Sequence, residues 1–295
     1  MIEFVAAAVQ LAPVPCDPGA NLAKIVAGIE EARREHEADL VVLPESALTG
    51  FHPGPRQAEL YDLAEPLDGP ACRELGLLCR SLGVHLVLPL YERGEQRGVI
   101  YNSSVLLDDQ GEVRGCYRKT HPFPTERLAR GGWTTPGDRA VVVPTRLGKI
   151  GMILCYDGDF PELSRACALQ GAEVITRASA LLRSFEIWEL TTRARAYDNA
   201  VYVIGVNAVG QDAGGSLYFG GSMIVSPIAQ PLALARGGEE VVSARLSPDP
   251  LRAVTYGSRQ PQIFDHLADR NLAAYDGILQ PGATPFPLHD PVRRS

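Results

Sequence analysis

Lys149-Ile150-Gly151-Met152-Ile153-Leu154-Cys155-Tyr156-Asp157-Gly158-Asp159-Phe160-Pro161-Glu162 is the stretch that decides how this chain folds. An apolar run carries a single thiol to the C-terminal tip of a strand. A tight Asp-Gly turn follows, and Pro161 suits the first turn of a helix, where its missing N–H costs nothing. A cysteine on such a strand-to-helix turn is held up from the sheet. Nearby backbone N–H groups and the helix N-terminus are expected to favour its thiolate. Alone, Cys155 would read as a small core residue, because that is what buried cysteines usually are.

Two more strand tips change the reading. The run Asp39-Leu40-Val41-Val42-Leu43-Pro44-Glu45-Ser46 ends a buried strand in a carboxylate. The run Gly115-Cys116-Tyr117-Arg118-Lys119-Thr120-His121-Pro122-Phe123-Pro124-Thr125-Glu126-Arg127 ends a strand in a lysine, with a second carboxylate seven residues on. A nucleophilic thiol needs a base for its proton, and the oxyanion it generates needs a cation or N–H donors. Glu, Lys and Cys at three strand tips supply those parts. A lone carboxylate after residues 40–44 would be expensive to bury, and a lysine partner removes that objection.

This set resembles the nitrilase superfamily of carbon–nitrogen hydrolases, across about residues 3 to 260. The resemblance rests on three motifs in order: Leu-Pro-Glu at 43–45, Tyr-Arg-Lys-Thr-His at 117–121, and Cys-Tyr-Asp-Gly-Asp-Phe-Pro-Glu at 155–162. It implies that Glu45 is the general base, that Lys119 stabilises the tetrahedral intermediate and that Cys155 is the nucleophile. It also implies that Glu126 orients the substrate amide and supports Lys119. The segment after Cys155, with Arg177 and the run Tyr218-Phe219-Gly220-Gly221-Ser222, looks closest to aliphatic amidases. True nitrilases tend to carry Cys-Trp-Glu at this position. The implied reaction is hydrolysis of a small primary amide through a thioester, with no metal or organic cofactor. An N-carbamoyl or ω-amide hydrolase, or a nitrilase, would use the same triad, and a catalytically inactive interaction protein is the remote alternative.

Other side chains have weaker claims. Arg177 ends a neighbouring strand and could face a substrate carboxylate or support the pocket through a structural acid. Tyr156, Trp133 and Tyr61 are candidate pocket walls. His121 invites a cysteine–histidine dyad, but Lys119 and Glu45 already fill the roles, so its expected task is to fix its loop by hydrogen bonding. Cys79 and Cys167 fall on apolar helix faces and read as core. No G-x-S-x-G elbow, P-loop or strand-linked G-x-G-x-x-G is present.

The gross numbers agree with a soluble globular protein. The chain has 295 residues, 45% hydrophobic and 21% charged, which suits one large α/β domain. A net charge of −7, with no Lys/Arg run longer than two residues, argues against nucleic acid as a partner. The six cysteines form no C-x-x-C pair and lie at no zinc-ligand spacing. Reduced thiols in a cytoplasmic compartment are expected. The first apolar run is too short to span a membrane and follows an acid rather than a base.

Periodicity places strands at about 3–12, 39–44, 84–91, 99–107 and 112–118, with helices at 20–36 and 70–82. The second half repeats the grammar: a hairpin over 140–155, helices at 161–170 and 185–199, and strands near 173–178, 201–207, 221–226 and 239–246. The expected fold is a four-layer α-β-β-α sandwich over residues 1–261. Residues 262–295 are expected to form an extended arm packing on a partner subunit. A homodimer or higher homo-oligomer is expected, because the helix at 185–199 carries Ile187, Leu190, Ala194 and Tyr197 in one stripe, widened by Trp188 and Thr191.

Overall fold

The computed structural model describes residues 1–251, 255–256, 260–261 and 265–282. The elements run β1 (Phe4–Gln10), α1 (Pro18–His36), β2 (Leu40–Val42), α2 (Leu60–Leu63), α3 (Pro70–Leu82), β3 (His85–Arg93), β4 (Ile100–Leu107) and β5 (Val113–Arg118). They continue with β6 (Val141–Pro144), β7 (Lys149–Leu154), α4 (Pro161–Leu169), β8 (Val174–Ser179), α5 (Phe185–Asn199) and β9 (Tyr202–Asn207). Then come β10 (Val209–Gln211), β11 (Leu217–Phe219), β12 (Met223–Val225), β13 (Pro231–Leu234) and β14 (Glu240–Leu246).

The caps explain the helix bounds. Asp17 accepts a hydrogen bond from the Ala20 N–H ahead of Pro18, and Ser184 does the same for Ile187. Gly83 closes α3 at φ 68°, a left-handed geometry that suits glycine.

Two six-stranded sheets result, ordered β14-β1-β2-β3-β4-β5 and β13-β12-β9-β8-β7-β6. Each has a parallel centre, β1-β2-β3 in one and β7-β8-β9 in the other. Antiparallel strands complete the edges. The sheets face each other, with β1 against β9 and β4 against β7. Helices α1 and α3 cover the first sheet with Ile25, Ile29, Leu75 and Cys79 fully buried. Helices α4 and α5 cover the second with Cys167, Trp188 and Ala196. This is the α-β-β-α sandwich that the sequence implies. Both sheets end their parallel strands in the same region, which collects the tips of β2, β5, β7 and β8.

Three short strands escape sequence reading. The hairpin of β10 and β11 pairs only three residues on each side, through Val209↔Phe219, Gly210↔Tyr218 and Gln211↔Leu217. Strand β13 is mostly exposed and lies at a sheet edge. Strand β14 pairs with β1, from Phe4↔Leu246 to Gln10↔Glu240, so the last long strand returns to the first sheet.

On α5 the inward face is Trp188, Thr192, Arg195, Ala196 and Asn199. Ile187, Leu190 and Tyr197 point outward, Leu190 with 68% of its surface exposed. All six cysteines are free thiols. Burial pushes Cys79 and Cys167 up to about 12, as suits inert core residues. No helix among the described residues is long and apolar enough to cross a membrane.

The described residues fall into two compact units, Met1–Ile263 and Phe264–Ser295. In the second, a short 3₁₀ turn over Leu272–Tyr275 leaves Leu272, Tyr275, Ile278 and Leu279 exposed. Phe264 and Phe286, which the sequence reading assigns to an arm, lie outside the described residues.

Candidate active site

Cys155 follows the last residue of β7 and opens a five-residue 3₁₀ turn, Cys155–Asp159. Its φ is 46°, in the left-handed region that a non-glycine residue adopts only at a cost. The surroundings fix that conformation from two sides. Asp157 is fully buried and its carboxylate accepts hydrogen bonds from the Leu154 N–H (2.9 Å), the Tyr117 hydroxyl (2.7 Å) and the His121 N–H (3.0 Å). The His121 ring adds a 2.8 Å contact to the same carboxylate and stacks on Phe160 at 3.8 Å. His121 thus ties the lysine motif to the nucleophile turn, as expected of a loop-fixing residue.

From the other side, Arg177 donates from Nε to the Cys155 carbonyl at 3.1 Å and from Nη1 to the Thr191 and Thr192 hydroxyls. Its guanidinium lies over the Trp188 ring at 4.8 Å. Gly158 makes room for it: a Cβ there would come within 2.1 Å of the Arg177 guanidinium carbon. Burial, opposed by Cys155 and Asp159, brings the Arg177 pKa down to about 10. Arg177 therefore lies beneath the turn, in the supporting place of the two the sequence leaves open.

Glu45 follows β2 and is fully buried. Its Oε1 accepts from Lys119 Nζ at 2.6 Å and Asn102 Nδ2 at 2.9 Å, and its Oε2 from the Ala180 N–H at 2.9 Å. Lys119 Nζ also donates to Glu126 Oε2 at 2.5 Å. Glu126 accepts in addition from Asn102 Nδ2 (2.9 Å), Thr134 Oγ1 (3.2 Å) and the Phe123 N–H (2.9 Å). Three buried charges are thus held by seven hydrogen bonds, the arrangement that makes a buried ion cluster tolerable. Asn102, on β4, bridges both carboxylates, and the sequence reading misses it. Nothing in the neighbourhood of Asn102 in sequence marks it, since both of its partners are more than twenty residues away.

The electrostatics correct one expectation. Burial, and then the Glu45 charge, push the Cys155 thiol up, and Lys119 and Arg177 only partly offset them. Burial thus works against the thiolate that nearby N–H groups and a helix N-terminus would favour. Burial also raises Glu45, with Lys119 opposing and Glu126 adding to the rise. On Lys119 burial works against the charge, but Glu126 and Glu45 outweigh it and hold the ammonium firmly protonated. Cys155 acts to lower the Glu45 pKa, a smaller influence than burial, Lys119 and Glu126.

A small pocket opens onto Cys155, walled by Phe51, Phe123, Tyr156, Leu181, Leu182 and Arg183. Tyr156 lies where the sequence puts it. Trp133 and Tyr61 do not line this cavity. Trp133 packs with Leu60, Tyr91 and Ile100 and backs Phe51 edge-on at 6.2 Å, while Tyr61 joins the margin of that cluster under Arg93. Trp133 is covered by residues far away in sequence, which local reading does not reveal. Asn207, also unread in the sequence, clamps the Leu181 N–H (2.7 Å) and carbonyl (3.2 Å) and so positions one wall.

Comparison with known proteins agrees with this geometry. An (R)-stereoselective amidase of a Pseudomonas species is 36% identical over 265 residues, covering 90% of this chain and 90% of that protein. A probable nitrilase of Schizosaccharomyces pombe is 31% identical over 271 residues, covering 88% of this chain and 97% of its own. Among solved structures, a mutant of the amidase from Nesterenkonia sp. AN1 shows covalent addition of the acetamide moiety of fluoroacetamide at its active-site cysteine. It aligns with a TM-score of 0.78 and 25% identity over 92% of this chain and 95% of that one. The carbon–nitrogen hydrolase family itself matches residues 5–256. With the fold, the buried carboxylate–lysine cluster and the strained cysteine turn, that match means that the chain belongs to the carbon–nitrogen hydrolase family and is an enzyme of that class.

Proposed function

We propose that the enzyme hydrolyses a small primary amide to a carboxylic acid and ammonia through a thioester on Cys155. The observation that carries this reading is the buried Glu45–Lys119–Glu126 cluster beside the Cys155 thiol at the foot of an apolar pocket. Glu45 takes the thiol proton as sulfur bonds to the amide carbon, so charge moves from one buried group to another rather than appearing unpaired. The carbonyl oxygen gains the electron pair beside Lys119 and the Tyr156 backbone N–H, at the open start of the 3₁₀ turn. As the C–N bond breaks, protonated Glu45 gives its proton to the leaving ammonia. Water then enters, and its oxygen bonds to the acyl carbon as Glu45 takes its proton; the C–S bond breaks, the acid leaves, and Glu45 returns the proton to sulfur. A carboxyl group raised above its usual range suits this two-way duty. Glu126 fixes the Lys119 ammonium and orients the amide.

On one acyl group, the amide is expected to be turned over with a higher kcat/KM than the matching nitrile. The nitrile passes through a thioimidate, whose nitrogen needs protons delivered in a different order. Ammonia release from matched pairs checks this, and a nitrile preference would reassign the enzyme to another branch.

We also propose that copies associate through the outward stripe of Ile187, Leu190 and Tyr197 on α5. Light scattering at micromolar concentration is expected to give at least a dimer, and a monomer at that concentration rejects the idea.

A further inference from the structure

Phe51 is shared by two small pockets. One opens onto Cys155, the other onto Glu45, and Phe51 and Ala180 line both. Each has room for about one water molecule. Ala180 contributes only a methyl group, and its N–H is committed to Glu45 Oε2 at 2.9 Å. The Phe51 ring is therefore the larger part of what separates them.

The ring is held from several sides. A tight turn joins it to the catalytic base: the Ser46 carbonyl accepts the N–H groups of Thr49 (3.1 Å) and Gly50 (2.8 Å), and Gly50 takes φ 74°. The Phe51 carbonyl accepts the buried Tyr91 hydroxyl at 2.7 Å. Trp133 meets the ring edge-on at 6.2 Å, and Ala180, Ala208 and Tyr218 pack with it. In a close-packed interior a ring held this way has no space to swing into. The Lys119 ammonium lies 5.2 Å from the ring centroid, so the ring borders the place where the amide reacts.

We propose that Phe51 determines acyl-length specificity: its ring closes the acyl site at the size of formyl and acetyl groups, and without the ring the two pockets join into one longer site. The proposal rests on the amide-hydrolase reading above and assigns the size limit to one side chain. A longer acyl chain meets the ring. Behind the ring, the second pocket offers Ala208, Val209 and Tyr218, whose apolar atoms would receive methylene groups once the ring is gone.

The test compares acetamide with hexanamide in wild type, Phe51→Ala, Phe51→Leu and Val209→Ala. The readout is the ratio of kcat/KM values, because general damage beside Lys119 lowers both amides alike and cancels. In wild type the ratio, acetamide over hexanamide, is expected at about ten- to a hundredfold, the scale of forcing extra methylenes into packed space. In Phe51→Ala it is expected to fall below one, since the added methylenes then gain burial. Phe51→Leu, the milder change for folding, should fall between. Val209→Ala enlarges the second pocket alone and should leave the wild-type ratio. A wild-type ratio near one, a ratio unmoved in both Phe51 variants, or a Val209→Ala ratio equal to that of Phe51→Ala overturns the assignment. If wild type hydrolyses neither amide, the hydrolase reading fails instead, and thiol labelling decides the size limit. Methyl methanethiosulfonate should then modify Cys155 at least about tenfold faster than its hexyl homologue, each rate taken relative to free cysteine, and the gap should close in Phe51→Ala. Equal relative rates in wild type, or an unchanged gap in the variant, overturn it.

Discussion

Cys155→Ala is expected to lower amide hydrolysis by about 10⁴-fold or more, the scale seen when a covalent nucleophile is removed. The fold should survive. Asp157 and Arg177 hold the turn through its backbone, with bonds to the Leu154 N–H and the Cys155 carbonyl that an alanine leaves in place. The positive φ costs alanine no more than cysteine. Circular dichroism and thermal unfolding should therefore shift by only a few degrees, while ammonia release disappears. Cys155→Ser should also be inactive, because the buried hydroxyl is a far weaker acid than a thiol that Glu45 must already work to deprotonate. Cys79→Ala and Cys167→Ala provide the contrast. Both thiols are fully buried on helices against the sheets, so their loss costs about 1 kcal/mol of packing and spares the chemistry. An alanine variant at 155 that keeps more than about one per cent of activity would remove Cys155 from the mechanism.

What the sequence makes legible here follows from where a residue's partners lie. Glu45 and Cys155 each follow an apolar strand, so a charged or reactive side chain breaks a pattern that local reading detects, and Lys119 is marked by its place in the Tyr-Arg-Lys-Thr-His run. The four layers are legible for a similar reason: the alternation of strand and helix signals occurs twice, and the observed helix at 185–199 has the expected bounds. Asn102 is invisible because it sits mid-strand among Ser103 and Ser104, and only its reach to Glu45 and Glu126 gives it a role. Asp157 looks like a turn residue, which it is, yet its more important bonds go to Tyr117 and His121. The β10–β11 hairpin escapes because strands of three residues are too short to show periodicity. The burial of Cys155 is hard to read for a different reason. Motif reasoning counts dipoles and cations, while the deciding quantity is burial, which belongs to the assembled fold.

Lys119→Ala is expected to do two kinds of damage that can be separated. Without the ammonium, Glu45 and Glu126 remain fully buried as two carboxylates with no cation, and breaking a buried pair in this way typically costs about 3–5 kcal/mol of stability. Activity should fall by at least about 10²–10³-fold, since a preorganised cation at the oxyanion is lost. The sign of the accompanying pH effect is fixed by the geometry. Lys119 lowers the Glu45 pKa through its charge and its hydrogen bond, against burial and Glu126, which raise it. Removing the lysine therefore raises Glu45 further. A larger fraction is protonated at neutral pH and unable to accept the thiol proton, so the acid limb of kcat/KM for the residual activity should move to higher pH. A second variant separates the two losses. Lys119→Met with Glu126→Gln removes one carboxylate along with the cation, so it should recover much of the stability and none of the catalysis. Denaturant titration and a pH profile of the residual turnover read the two effects independently. Near-native turnover in either variant would mean that Lys119 is only a structural counter-ion. Recovery of activity along with stability in the double variant would mean the same, because a group needed at the oxyanion cannot be replaced by removing the charge it balances.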